Sequence, residues 1–303
     1  MNSKFKGIGV AVVTPFDKQG VVDYDSLAGL INHNIENNID YIVMLGTTGE
    51  ASTLSLQERY SILDFAVAVT AGRVPIMAGF SGNNTLQVLQ DIDGYHFTGI
   101  AGILSSNPSY SRPNQEGIFQ HFRAIAEHCP VEMVIYNVPS RTGSNIKAAT
   151  TLRICQEIPK VVGIKEASGD LNQCAEIIKN KSRKDFLVLS GDDLLALPLI
   201  ALGGDGVISV VGNAFPYEFG QMIHLALEND FERARQLHYL LKSFIELLFV
   251  DSNPPGIKAA LHALNLCQNT LRLPLVPVGQ EVEKMIFNEI KKINTTAKLL
   301  AAK

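Results

Sequence analysis

Lys165 is the residue with the clearest chemical meaning. It stands in Val161-Val162-Gly163-Ile164-Lys165, a run apolar enough to be buried. An ammonium taken out of water without a partner responds by losing its proton, and a neutral lysine amine attacks carbonyl carbon. A fall from about 10.4 to about 7 corresponds to roughly 4–5 kcal/mol against the charged form. The same position also suits a strand-end lysine that reaches solvent or pairs with Glu166. Other chemistry-bearing residues recur just past similar runs. Gly46-Thr47-Thr48-Gly49-Glu50 offers hydroxyls and freely turned amides suited to a carboxylate. Tyr136 can give or take a proton, and Arg141 can grip a carboxylate in two-point fashion. Tyr110 lies in the polar segment 107–113.

These residues need a frame that brings them to one place. Eight short runs, largely apolar throughout, occupy 8–14, 40–45, 74–79, 100–105, 131–138, 161–167, 186–190 and 206–210. Continuous rather than alternating apolar runs mark strands covered on both faces, as in a parallel sheet. Amphipathic segments alternate with them. Leu27, Leu30, Ile31 and Ile35 form a helical stripe behind an Asp23 cap. Ser55 and Glu58 are spaced as a capping box, and Ile118, Phe119, Phe122 and Ile125 form a further stripe, with Pro113 expected in its first turn. Eight strand–helix units predict an α/β (β/α)8 TIM barrel, whose chemistry sits at the C-terminal strand ends. An open doubly wound sheet would carry a glycine-rich phosphate turn after its first strand. Thr14-Pro15-Phe16 stands there instead, and Gly203-Gly204-Asp205-Gly206 precedes a strand, which makes it a structural turn. Past residue 215 only helical patterns remain, near 217–228, 231–249, 255–266 and 280–295. The reading is a catalytic barrel over 1–228 and a C-terminal helical extension over 229–303 packed on it.

Composition narrows the function classes. Of 303 residues, 18% are charged, below the roughly 25% of typical domains, which points to much buried area or to surface covered by partner subunits. Lys and Arg number 26 and Asp and Glu 30, a net charge of −4, a poor match for nucleic acid or an anionic membrane. No run approaches a membrane span, and the N-terminal apolar stretch reads as a strand rather than a signal peptide. Cys129, Cys155, Cys174 and Cys267 form no C-x-x-C pair and read as buried thiols of a cytoplasmic protein. The seven histidines show no metal-binding spacing, so neither metal nor cofactor is expected.

The segments GVAVVTPF, GTTGE, NPSYSRPNQEG, YNVPSRTG, GIKEASG, LSGDD, GGDGVISV and NTLRLPLVPV, spread over nearly the whole chain, resemble the 4-hydroxy-tetrahydrodipicolinate synthase family. That family lies within the pyruvate-dependent, Schiff-base-forming aldolases that also include N-acetylneuraminate lyase. The resemblance implies that Lys165 forms an imine with pyruvate, and that Thr48 and the backbone near Ile208 hold the pyruvate carboxylate. It implies a proton relay of Tyr136, Thr47 and a Tyr110 lent by a neighbouring subunit, and Arg141 as receptor for the carboxylate of aspartate 4-semialdehyde. A homotetramer or homodimer is implied with it. The turn Asn253-Pro254-Pro255-Gly256 departs from the family pattern and is expected to lie outside the catalytic set. Inhibited relatives resemble one another in a lysine pocket of two histidines, a glutamate and a tyrosine. This chain places Leu56, Arg59, Gln87 and Ser109 there, with an amide at Asn83 or Asn84, which implies weak or absent inhibition by lysine. Two alternatives stay open: a sister aldolase using another aldehyde, and a non-catalytic keto-acid sensor.

Overall fold

The computed structural model describes residues 4–301. Residues 1–3 and 302–303 of the two expected units lie outside that range. Among the described residues, strands β1 (Gly7–Ala11), β2 (Tyr41–Met44), β3 (Ile76–Gly79), β4 (Gly102–Ser106), β5 (Glu132–Asn137), β6 (Val161–Glu166), β7 (Leu187–Ser190) and β8 (Gly206–Ser209) run parallel and close into a barrel, β8 pairing with β1. The eight apolar runs are these strands, each shorter than its run by up to three residues at an end. The (β/α)8 barrel read from the sequence is the observed architecture.

Alternation along each strand sorts side chains between two cores. One set points outward to the surrounding helices. The other fills the barrel: Tyr41, Val43, Met77, Leu104, Val134, Leu187, Leu189 and Ile208 among them, with Phe5 beneath, edge-on to the Tyr41 ring at 5.5 Å. Gly9 makes room for that ring, since a Cβ there would lie 2.1 Å from it. The floor is therefore packed solid, and space opens only at the strands' C-terminal ends.

Local signals hold where they were legible. Asp23 accepts from Ser26 N to cap the helix Tyr24–Glu36, and Ser55 and Glu58 form the reciprocal capping box of Leu56–Thr70. The helix Gln115–His128 is capped by Asn114, so Pro113 stands ahead of the cap rather than in the first turn. The Asn114 side chain takes the Gly117 amide at 2.8 Å, a bond proline cannot supply. The Gly203–Gly206 turn is structural: Asp205 accepts the Val188 amide at 3.0 Å, and the Asp205 carbonyl accepts Gly7 N at 2.9 Å, at the barrel's N-terminal end.

The helices Phe231–Leu248, Pro255–Ala263 and Gln280–Ala301 build the C-terminal extension. It is bound to the barrel by more than apolar contact. Lys258 and Glu50 form an ion pair at 2.5 Å with both side chains fully buried, and the Lys258 ammonium also donates to Thr270 O at 2.8 Å. Arg272 donates to Glu58 at 2.6 Å, and its backbone amide to Glu50 at 3.2 Å. The bonds to Glu50 and Glu58 end on, or just beyond, the loop that follows β2, and the bond to Thr270 lies within the extension.

Candidate active site

Lys165 lies near the end of β6, in register with Tyr136 on β5 and Leu189 on β7. Side chains paired at one level of adjacent strands share a face, so Tyr136 and Lys165 enter the barrel side by side. The Lys165 ammonium stands 4.4 Å from the Tyr136 ring centre. Glu166, one residue on, faces outward, where its carboxylate takes bonds from Asn137, Gln173 and the Ser168 amide. The open alternative of a Lys165–Glu166 pair is thereby removed, and so is reach to solvent, for Lys165 is only 6% exposed.

Burial lowers the Lys165 pKa to about 8; the Asp193 carboxylate pulls it up and the Arg141 guanidinium pushes it down. The Asp193 carboxylate keeps the value from falling further. At pH 7 a pKa of 8 leaves about a tenth of the lysine neutral, against about 0.03% for an unperturbed side chain. Burial raises the Tyr136 pKa above its ordinary value, with Arg141 and a hydrogen bond from Thr47 opposing the rise. The phenol therefore keeps its proton until a reacting group draws on it.

A cavity of about 430 Å³ opens over these residues, lined by Thr47, Thr48, Tyr136, Arg141, Lys165 and Asn253 among others. Thr47 and Thr48 form the short 3-10 turn Thr47–Gly49 after β2. Asn253 Nδ2 donates to Thr48 Oγ1 at 3.0 Å, and Arg141 donates to the Asn253 carbonyl at 3.1 Å. A Thr48 hydroxyl that already accepts has its own proton free to donate into the cavity. The 253–256 turn, expected outside the catalytic set, nonetheless borders the cavity through Asn253. The extension folds back over the β2 loop, and Asn253 braces both the threonine and the arginine.

The Ile208 side chain is 1% exposed within the barrel interior, and Val210, two residues on along the same strand end, lines the cavity. Tyr110 is 95% exposed, with φ at 65° in the loop after β4, and one chain alone does not bring it to the cavity. Sequence reasoning missed Asn253 and Asp193. The second had a signal in Gly191-Asp192-Asp193 directly after β7; the first had none within its own segment.

A second cavity, of about 420 Å³, lies on the other side of Thr47 and Tyr136 and reaches Ser52, Arg59, Ser81 and Ser109. Arg59 pairs with Asp91 at 3.5 Å, Gln87 donates to the same carboxylate at 2.9 Å, and Asn83 accepts from the Ser109 hydroxyl at 2.8 Å. Among the described residues no group of three His, Cys, Asp or Glu could hold a metal ion.

A (β/α)8 barrel with a buried, partly neutral lysine at its C-terminal mouth defines the class of imine-forming barrel lyases. Within that class the chain belongs to the dihydrodipicolinate synthetase family, whose model matches residues 4–293. It is 48% identical over 272 residues to the 4-hydroxy-tetrahydrodipicolinate synthase of Parabacteroides distasonis, covering 90% of this chain and 91% of that one. It superposes with a TM-score of 0.92 at 37% identity on the chloride-inhibited dihydrodipicolinate synthase of Acinetobacter baumannii solved with pyruvate, covering 95% of this chain and 99% of that one. On the dihydrodipicolinate synthase of Cyanidioschyzon merolae with lysine bound the TM-score is 0.93 at 36% identity, covering 97% of this chain and 99% of that one.

Proposed function

We propose that this chain condenses pyruvate with L-aspartate 4-semialdehyde through an imine on Lys165, giving 4-hydroxy-tetrahydrodipicolinate on the diaminopimelate route to lysine. The observation that carries the reading is Lys165 itself: an amine buried beside Tyr136, with a pKa of about 8, facing a cavity sized for two small acids.

The neutral amine adds to the keto carbon of pyruvate; with one net proton delivered through the Tyr136 phenol, the carbonyl oxygen leaves as water and a protonated imine remains. Its positive nitrogen makes the methyl protons acidic. Loss of one gives an enamine, which forms the carbon–carbon bond to the aldehyde while the aldehyde oxygen takes a proton. The substrate's amine then closes the ring and displaces Lys165. Each step moves a proton at or near the Tyr136 phenol, and Thr47, already bonded to it, is the next member of the relay. Tyr110, presented on an exposed loop, completes that relay in a neighbouring subunit of a homodimer or homotetramer. Thr48 and the β8 backbone near Ile208 hold the pyruvate carboxylate, and Arg141 receives the second carboxylate. No helix among the described residues is long and apolar enough to cross a membrane. The four cysteines are free and buried, which supports a cytoplasmic site of action.

Incubation with pyruvate and borohydride, followed by peptide mass analysis, tests the imine. A reduced pyruvyl adduct on the Lys165 peptide is expected; an adduct on another residue, or none, overturns the reading. Parallel assays with aspartate semialdehyde and N-acetylmannosamine decide the acceptor, turnover of the first being expected.

A further inference from the structure

The loop after β7 is built around Lys165. Gly191 packs against the lysine's stem so closely that a Cβ there would lie 3.0 Å from Lys165 Cε, 3.2 Å from its Cγ and 2.7 Å from the Ala167 Cβ. Two residues on, Asp193 turns inward and is 2% exposed. Its Oδ2 accepts the amides of Val210 at 3.0 Å and Val211 at 2.9 Å, immediately past β8. Its Oδ1 is buried with no hydrogen-bond partner among the described residues, while the Ser209 hydroxyl beside it accepts from the Gly212 amide at 2.9 Å. A carboxylate buried this deeply, with one oxygen unengaged, is costly unless a positive charge shares its surroundings. Ser209 from β8 and Asp192 from its own loop lie beside it, and its charge acts on Lys165 from β6, where the Arg141 guanidinium opposes it; Glu246 approaches the cavity rim from the extension. Of the two cations, only Lys165 stands wholly inside.

We propose that Asp193 is the internal counter-ion of the Lys165 imine and, through the Val210 and Val211 amides, the positioning residue that fixes the β8 end against it. This rests on the reading that Lys165 forms the imine. Condensation of the ammonium with a ketone yields a protonated imine and water, so one positive charge stays on the nitrogen throughout. A protonated imine is a stronger acid than the ammonium it replaces. In a buried site beside the Arg141 guanidinium it would shed its proton, and the neutral imine is a weak electron sink. A fixed carboxylate keeps the nitrogen protonated without occupying a place that substrate needs. The direction of its effect on free Lys165, upward, agrees. Asp193 thus holds the lysine at a compromise: neutral often enough to attack, and cationic once the imine exists. Its own pKa, raised to about 6 by burial, leaves it ionised at neutral pH.

The test is borohydride trapping of the pyruvate adduct across pH 5.5 to about 9 in the full-length enzyme and in Asp193→Asn, which keeps an acceptor oxygen for the two amides and removes the charge. Absence of an adduct in the unaltered enzyme sinks the Lys165 reading itself. With the adduct present there, the variant is expected to form it with a pH midpoint about one unit lower and to turn over at least about tenfold more slowly. A variant with unchanged midpoint and unchanged turnover overturns the counter-ion role. Should Asp193→Asn not fold, the same change is made together with Lys165→Met. A folded double variant supports the charge pairing, since removing the cation then removes the need for its partner; a double variant that also fails to fold shows a purely structural carboxylate.

Discussion

Lys165 and Arg141 carry opposite consequences for a charge in the same cavity. In the proposed mechanism Lys165 works because burial removes its proton part of the time; a guanidinium keeps its proton in any protein setting. Lys165→Arg is expected to retain the positive charge and lose nearly all turnover, read as product formation and as loss of the borohydride-trapped adduct. Substantial activity in this variant would exclude an imine on the residue. Arg141 acts by its permanent charge. It sits on the turn after β5, anchored to the Asn253 carbonyl and away from the lysine's strand. Arg141→Ala should leave the pyruvate adduct detectable and weaken use of the aldehyde by roughly 10- to 150-fold, the loss of a charge-assisted bond of about 1.5–3 kcal/mol. An equal loss of adduct formation would show that the arginine serves pyruvate instead.

Among the elements, the helices around the barrel are held by polar contacts as well as by their apolar stripes. His121, on the helix Gln115–His128, meets Thr85 at 2.9 Å and otherwise sits among apolar groups with Nε2 buried and unbonded. Burial lowers its pKa to about 4 from the ordinary 6.5. The unfolded chain therefore binds a proton between those values and the folded chain does not, so stability is complete above about pH 6.5 and declines as pH falls toward 4. Urea denaturation at pH 7 and pH 5 should differ by about 2 kcal/mol from this residue alone. In His121→Gln that share of the difference disappears; an unchanged pH dependence would mean that the imidazole titrates in the folded state as it does in water.

For the whole molecule, two surfaces bear on the proposed completion and regulation of the site. Tyr110 is almost fully presented to solvent on its loop, an unusual placement for a residue proposed to join the relay. Tyr110→Phe is expected to impair turnover while the subunit stays folded, and specific activity should fall as the enzyme is diluted below its assembly concentration, followed by light scattering. Full activity in a dissociated subunit would contradict a tyrosine lent between chains. In the second cavity Arg59 presents a cation, and Gln87 is turned to Asp91 rather than into the cavity's lining. An amide in place of a carboxylate, beside that cation, suits the ammonium groups of lysine poorly. A lysine titration of the purified enzyme should show little inhibition; half-maximal inhibition at sub-millimolar lysine would overturn this expectation.

What the sequence by itself determined is local or periodic. The eight apolar runs specify buried parallel strands because each must be covered on both faces, and every run became a strand. The caps at Asp23 and Ser55 follow from side chains three residues from the amides they serve. Lys165, Tyr136, Thr47, Thr48 and Arg141 were legible because chemistry in this fold lies where strands end, and strand ends can be read along a chain. Tertiary structure alone decided the rest. Asn253 reaches Thr48 across 205 positions, and the Lys258–Glu50 pair spans a comparable separation; no periodicity encodes a contact between an extension and a loop so distant in the chain. Whether Lys165 would pair with Glu166 turned on strand parity, since adjacent residues face opposite sides of the sheet. How far its pKa fell turned first on burial and then on the charge of Asp193, from the loop after the neighbouring strand β7. Burial is a property of the folded surface, and so the lysine's chemistry, suggested by five residues in a row, was set by groups drawn from around the barrel.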